Sequence, residues 1–236
     1  MALTKPVVPG VYRVPLGIVN SYILIDESGA VVLVDTGTPG KETVILNAVR
    51  SLGRSDQDVV AIILTHAHWD HVGSATALRT HSGAPLIAHV ADAALLEAGK
   101  TIRPYTAAPS PIFRIAVAGL ASSSTATIAP FSVDQTVQEG DELPFFGGLR
   151  VIHLPGHSAG QIGVLSDRHG GILVAGDVAT HMFGLSWAFL YEDLALGIAS
   201  AQRIGTLPVH VVCLGHGRPL LKDGAARFQR RFAPVS

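Results

Sequence analysis

The chain has 236 residues, enough for one large domain with a sizeable core. Its 17 Lys and Arg against 18 Asp and Glu leave a formal charge of -1, so no global field recruits nucleic acid or an anionic membrane surface. Hydrophobic residues make up 48%, yet no uninterrupted apolar run approaches the roughly 20 residues of a membrane span, and a soluble protein is expected.

The opening MALTKPVVPG carries two prolines and no apolar stretch of signal-peptide length, so the expected location is cytoplasmic. Short β-rich runs follow at 11–14, 18–25 and 31–34, separated by turn residues, and imply an antiparallel start. The third ends in VDTG, where Asp35 appears as the chain leaves the sheet. It reads either as a turn aspartate or as a carboxylate that hydrogen-bonds a nearby ligand from behind. Residues 41–52 have helical spacing and stop at Gly53. A strand at 59–64, a helix at 72–80, a strand at 85–88 and a helix at 91–98 continue an α/β pattern. From about 100 to 130 the period is lost among prolines and serines. This stretch reads as an insertion within a single domain spanning 1–236, packed over an edge, walling a site or meeting a second copy in a homodimer. Strand signals at 135–138, 149–153, 162–165 and 171–175 read as a second sheet. A helix at 192–204, a strand at 209–214 and a helix at 224–232 close the chain. The single cysteine, Cys213, lies in an apolar VVCL run and reads as a buried structural thiol.

The chemistry concentrates at 65–73, THAHWDHVG, beyond the strand at 59–64. His66, His68, Asp70 and His71 lie within six residues, and imidazole with carboxylate is a ligand set for zinc and its first-row neighbours. In extended backbone alternate residues share a face, so His66, His68 and Asp70 are expected to converge while His71 starts elsewhere, a split that suits two metals better than one. Three more candidates follow strand ends: His157 in LPGHSAG, Asp177 in AGD and His216 in LGHG.

In that order these motifs, with VDTG at 34–37, resemble the metallo-β-lactamase-fold hydrolase superfamily over nearly the whole length. The resemblance implies a four-layer αββα sandwich. It also implies that His66, His68 and His157 hold a first metal, that Asp70, His71 and His216 hold a second, and that Asp177 bridges them. Zinc is the default ion; manganese and iron accept the same donors. Asp177 stands where the cysteine-containing β-lactamases of this fold carry Cys, and His68 where flavodiiron proteins carry Glu. The chain resembles the small members that include glyoxalase-II-like esterases and acyl-homoserine lactonases. The expected activity is hydrolysis of a small-molecule carboxylic ester, thioester or lactone, with Asp70 handling the proton and Tyr191, or else Tyr105, assisting the carbonyl oxygen. His181 is a candidate for the pocket border. The alternating Phe183, Leu185, Trp187, Phe189 and Tyr191 read either as an apolar wall for an acyl chain or as a half-buried strand. Competing readings are a mononuclear iron enzyme like persulfide dioxygenase, a metal-dependent β-lactam hydrolase and a non-catalytic metal-binding module.

Overall fold

The computed structural model describes residues 4–108 and 127–233, so most of the expected insertion lies outside the described residues. The first sheet comprises β1 (Lys5–Val8), β2 (Val11–Pro15), β3 (Asn20–Ile25), β4 (Val31–Val34), β5 (Val59–Ile63), β6 (Leu86–His89) and β7 (Gln135–Val137), in that spatial order. The first four are antiparallel neighbours and the last four run parallel. The second sheet contains β8 (Glu142–Leu143), β9 (Leu149–His153), β10 (Ile162–Ser166), β11 (Ile172–Val174) and β12 (Val211–Cys213), all antiparallel except the parallel β11–β12 pair. The run at 135–138, expected in the second sheet, instead extends the first beside β6. A parallel neighbour requires a long crossover, and the chain between 90 and 134 supplies one.

Each apolar strand serves two interfaces because its side chains alternate. In β4, Val32 and Val34 enter the core between the sheets with Val151, Val164, Val174 and Cys213, while Val31 and Leu33 face the helices. There they meet α1 (Glu42–Ser51), through Ile45 and Val49, and α3 (Ala75–Ser82), through Ala75 and Leu78, beyond the short α2 (Trp69–Val72). Leu96 of α4 (Val90–Glu97) joins the same layer. On the far side Ile152, Leu165, Leu173 and Val212 pack against α5 (Leu194–Ile204) and α6 (Gly224–Phe232). Three apolar interfaces between successive layers make the αββα sandwich. No helix among the described residues is long and apolar enough to cross a membrane.

Polar bonds tie the two sheets together at one end. The Tyr22 hydroxyl and the Asn20 amide both donate to the Leu214 carbonyl, at 2.8 and 3.0 Å, and Ile162 N–H donates to the Thr65 carbonyl at 2.8 Å. The stretch 183–191 is not one alternating strand. Ser186–Trp187 pairs with Ala179–His181, and Leu190–Tyr191 pairs with Thr106–Ala107. The break sends Trp187 onto Phe232, with ring centroids 4.5 Å apart, and leaves Phe183 wholly exposed, so no continuous apolar wall forms there.

Candidate metal centre

Strand register places the candidate ligands at the end of the sandwich where these polar bonds lie. In the parallel β4–β5 pair Val34 lies opposite Ile63, so Asp35 and Thr65 leave the sheet side by side. In the parallel β11–β12 pair Val174 lies opposite Cys213, and Asp177 and His216 each follow three residues beyond. Gly215 lets them meet: a Cβ there would overlap Asp177 Oδ1 and His71 Cε1. Gly156, at φ 130°, makes the turn before His157, where a Cβ would strike the backbone of Gly197.

The expected face-sharing of His66, His68 and Asp70 does not hold. His68 is the extended N-cap of α2, and the helical turn that follows swings Asp70 to the other side. Donor atoms gather in three overlapping groups, each within 4.8 Å: His66 with His68 and His157, His66 with His71 and Asp177, and Asp70 with His71 and His216. His68 Nδ1 lies 3.1 Å from His66 Nε2 and 2.8 Å from His157 Nε2. Asp177 Oδ2 lies 2.9 Å from His216 Nε2 and 3.6 Å from His157 Nε2, and its Oδ1 lies 3.5 Å from His71 Nε2. Asp70 Oδ2 lies 3.5 Å from His216 Nε2 and 3.9 Å from His71 Nε2.

The surroundings fix which ring nitrogen is available. A carboxylate or carbonyl oxygen can only accept, so each Nδ1 bonded to one carries the proton. His71 Nδ1–H donates to Asp35 Oδ2, His157 Nδ1–H to the Leu190 carbonyl and His216 Nδ1–H to the Ile18 carbonyl, all at 2.8 Å. The Thr65 hydroxyl donates to Asp35 Oδ2 at 2.8 Å and therefore accepts from His66 Nδ1–H at 3.0 Å. The Nε2 atoms of His66, His71, His157 and His216 are thus turned inward as lone pairs when the rings are neutral. Asp35, at φ 62°, also accepts from Thr65 N–H at 2.8 Å, so it plays the supporting role behind a candidate ligand.

Burial pushes His66, His68 and His157 below the usual imidazole 6.5, the first two far below it and helped by neighbouring histidines. Burial also opposes charge on His71 and His216, but Asp177 outweighs it, with Asp35 and Asp70 adding at His71, and both histidines are raised. Asp177 is held well below the carboxylate range by His216 and His71 against its own burial. One side of the cluster is therefore three neutral imidazoles, the other a carboxylate-rich group.

Among the converging donor atoms, buried His71 Nε2 and Asp177 Oδ1 have no partner within hydrogen-bond geometry. Buried imidazole nitrogens and carboxylate oxygens gathered this closely fit divalent cations.

The remaining candidates lie apart from these groups. Tyr191 has no exposed surface; its hydroxyl accepts Ala188 N–H at 2.9 Å, and its ring lies 6.4 Å from that of His157 and against Gly197. The Tyr191 hydroxyl is thus engaged by a backbone N–H behind His157. Tyr105 is half-buried at the root of the insertion, and the His181 Nδ1–H donates to the Arg218 carbonyl at 2.8 Å. Burial of Cys213 raises its thiol pKa, in keeping with a structural role. Sequence reading missed Thr65 and the Ile18 and Leu190 carbonyls, because backbone acceptors leave no residue-type signal. It also missed Asp92, whose only sign was a carboxylate in the first turn of a largely apolar helix.

The sequence profile described as Metallo-beta-lactamase superfamily matches residues 14–216. The probable metallo-hydrolase YflN of Bacillus subtilis is 30% identical over 232 residues, covering 89% of this chain and 85% of its own. A hydroxyacylglutathione hydrolase of Aeromonas hydrophila is 29% identical over 172 residues, covering 72% of this chain and 51% of its own. The solved structure of a beta-lactamase from Chitinophaga pinensis superposes with a TM-score of 0.71 at 18% identity, covering 97% of this chain and 89% of its own, a likeness of fold alone.

Proposed function

The chain belongs to the metallo-β-lactamase superfamily, and from that premise we propose that this metallo-hydrolase cleaves a small carboxylic ester, thioester or lactone with two divalent ions. The convergence of seven buried or half-buried imidazole and carboxylate donors carries the reading. His66, His68 and His157 would hold one ion, Asp70, His71 and His216 the other, and Asp177 both, since it lies 3.6 Å from His157 of the first group as well as 3.5 Å from His71 and 2.9 Å from His216 of the second. Zinc is the default for this donor set. Bound there, such ions would supply Lewis acidity toward a carbonyl oxygen and bring the pKa of bound water down to about 7.

The chain's own residues do the rest. Asp35, Leu190 and Ile18 hold three imidazoles in the tautomer that keeps Nε2 free. The Asp70 side chain keeps 18% of its surface while those of His71, His157, His216 and Asp177 keep 7% or less, so its carboxylate is the exit through which a proton can leave. Phe189 has its ring 6.0 Å from that of His216, and Ile18 and Trp69, in the segments that hold or flank the ligands, are exposed. Apolar groups beside the metals suit an acyl substrate. Tyr191 is assigned to positioning, through the strand that carries the Leu190 carbonyl. The thioester option draws on the name of the hydroxyacylglutathione hydrolase relative, half of whose length the chain spans.

The test is metal analysis of the purified protein with hydrolysis assays on a γ-lactone, an acyl thioester and a β-lactam. Two zinc or manganese ions with lactone or thioester turnover is the expected outcome. One iron with oxygen consumption and no hydrolysis would overturn it, and turnover confined to the β-lactam would move the substrate class.

A further inference from the structure

The proposed ligands leave one buried carboxylate beside them without a role. Asp92, in the first turn of α4, is 0% exposed. Its Oδ2 accepts Ala67 N–H at 2.9 Å and the Ser158 hydroxyl at 3.0 Å, and its Oδ1 accepts Arg103 Nη1–H at 2.8 Å. Ala67 separates His66 from His68, and Ser158 follows His157. One carboxylate therefore grips both loops of the three-histidine group. Gly160 is shaped to this contact, because a Cβ there would overlap the Asp92 carboxylate.

A second carboxylate completes the arrangement. Arg103 also reaches Glu192, at 3.3 Å and 3.4 Å, and Glu192 Oε2 accepts Ala159 N–H at 2.7 Å. The Glu192 N–H in turn donates to the His157 carbonyl at 3.3 Å. Arg103 stands three residues before Thr106–Ala107, which pairs with Leu190–Tyr191, the strand whose carbonyl holds His157 Nδ1. The other candidate group is held by other means, His71 by Asp35 and His216 by Ile18.

We infer that Asp92, bridged by Arg103 to Glu192, is a positioning residue that sets the geometry, and hence the metal affinity, of the His66–His68–His157 site selectively. The inference rests on the two-ion reading above. Partners behind metal ligands typically govern affinity by about 10- to 100-fold. Asp92→Asn keeps the shape but has one acceptor oxygen, so its amide must face a donor either at Ala67 or at Arg103.

The experiment is zinc titration of metal-depleted protein against a chromophoric chelator. His216→Ala isolates the three-histidine site and His157→Ala isolates the other. Asp92→Asn is added to each, and Ser158→Ala, which removes only the hydroxyl shared between the two Asp92 oxygens, repeats the comparison in case Asp92→Asn does not fold. Either substitution should weaken zinc about 10- to 100-fold in the His216→Ala background and leave it unchanged in the His157→Ala background. Equal weakening in both backgrounds, or none in the first, would overturn the selectivity. A wild-type chain that takes up one ion would overturn the two-ion reading instead. The clamp is then judged by whether Asp92→Asn in the otherwise wild-type chain weakens that ion.

Discussion

Asp35→Asn isolates the supporting role of a buried carboxylate from its shape. The residue sits at φ 62°, a left-handed conformation that Asn adopts as readily as Asp, so the substitution adds no backbone strain. Asp35 Oδ1 accepts Thr65 N–H, and Oδ2 accepts both the Thr65 hydroxyl and His71 Nδ1–H, each at 2.8 Å. With its oxygen kept on Thr65 N–H, the amide presents NH2 to the imidazole and drives the His71 proton from Nδ1 to Nε2. The nitrogen facing Asp177 is then no longer a lone pair. Loss of a hydrogen bond to a charged group costs about 1.5–3 kcal/mol. At about 2–4 °C per kcal/mol for a chain of this size, the metal-free protein should melt about 3–12 °C lower. Metal affinity should fall about 10- to 100-fold as the ligand loses its tautomer. Thermal melts with and without zinc, together with chelator competition, measure both. A variant that melts lower yet binds zinc like wild type would refute the tautomer argument and leave Asp35 only a fold-stabilising role.

Gly215→Ala should collide with Asp177 and His71, lowering stability by about 1–3 kcal/mol and weakening metal uptake; a variant with wild-type melting and occupancy would show that this loop yields freely. Asp177→Ala should reduce occupancy by the second ion and turnover together, measured by metal analysis and steady-state kinetics, and full occupancy with full turnover would disprove its shared role. Tyr191→Phe leaves Ala188 N–H without its acceptor and should cost about 1–3 kcal/mol in denaturant melts while kcat holds. A tenfold fall in kcat, about 1.36 kcal/mol of barrier, would instead put the hydroxyl on the substrate.

The elements most visible in the sequence are those whose own residues decide them. The run VVLV at 31–34 and the helix at 224–232 have the expected bounds because apolar alternation and helical spacing are local properties. The ligand candidates were legible because His and Asp at strand ends have few structural uses. Placement that depends on distant partners was not legible. Gln135–Val137 carries the same signal whichever sheet it joins, and only docking beside Leu86–His89 decides. Asp70 joins His71 and His216, as the resemblance implies, and not the face of His66 and His68, because the onset of the four-residue helix Trp69–Val72, too short to show a period, changes the side-chain direction from alternate faces to a turn. The 183–191 stretch misled in the opposite way: a true alternation of residue types is cut by two separate pairings, and Trp187 goes to the helix layer while Phe189 stays near His216.

The site belongs to neither sheet alone, and this ties its chemistry to the closing of the sandwich. His66, His68, Asp70 and His71 follow β5 of the first sheet, whereas His157, Asp177 and His216 follow β9, β11 and β12 of the second. The bonds that join the sheets lie among the same residues: Thr65 accepts from Ile162, Asn20 N–H donates to the Gly215 carbonyl at 2.8 Å, and Ile18 of the first half orients His216 of the second. Any ion shared between the halves binds only the docked state, so its binding energy is also docking energy. Conversely, apolar burial between the sheets brings the Asp177 carboxylate and its histidines together before an ion arrives, which is why the donors already converge.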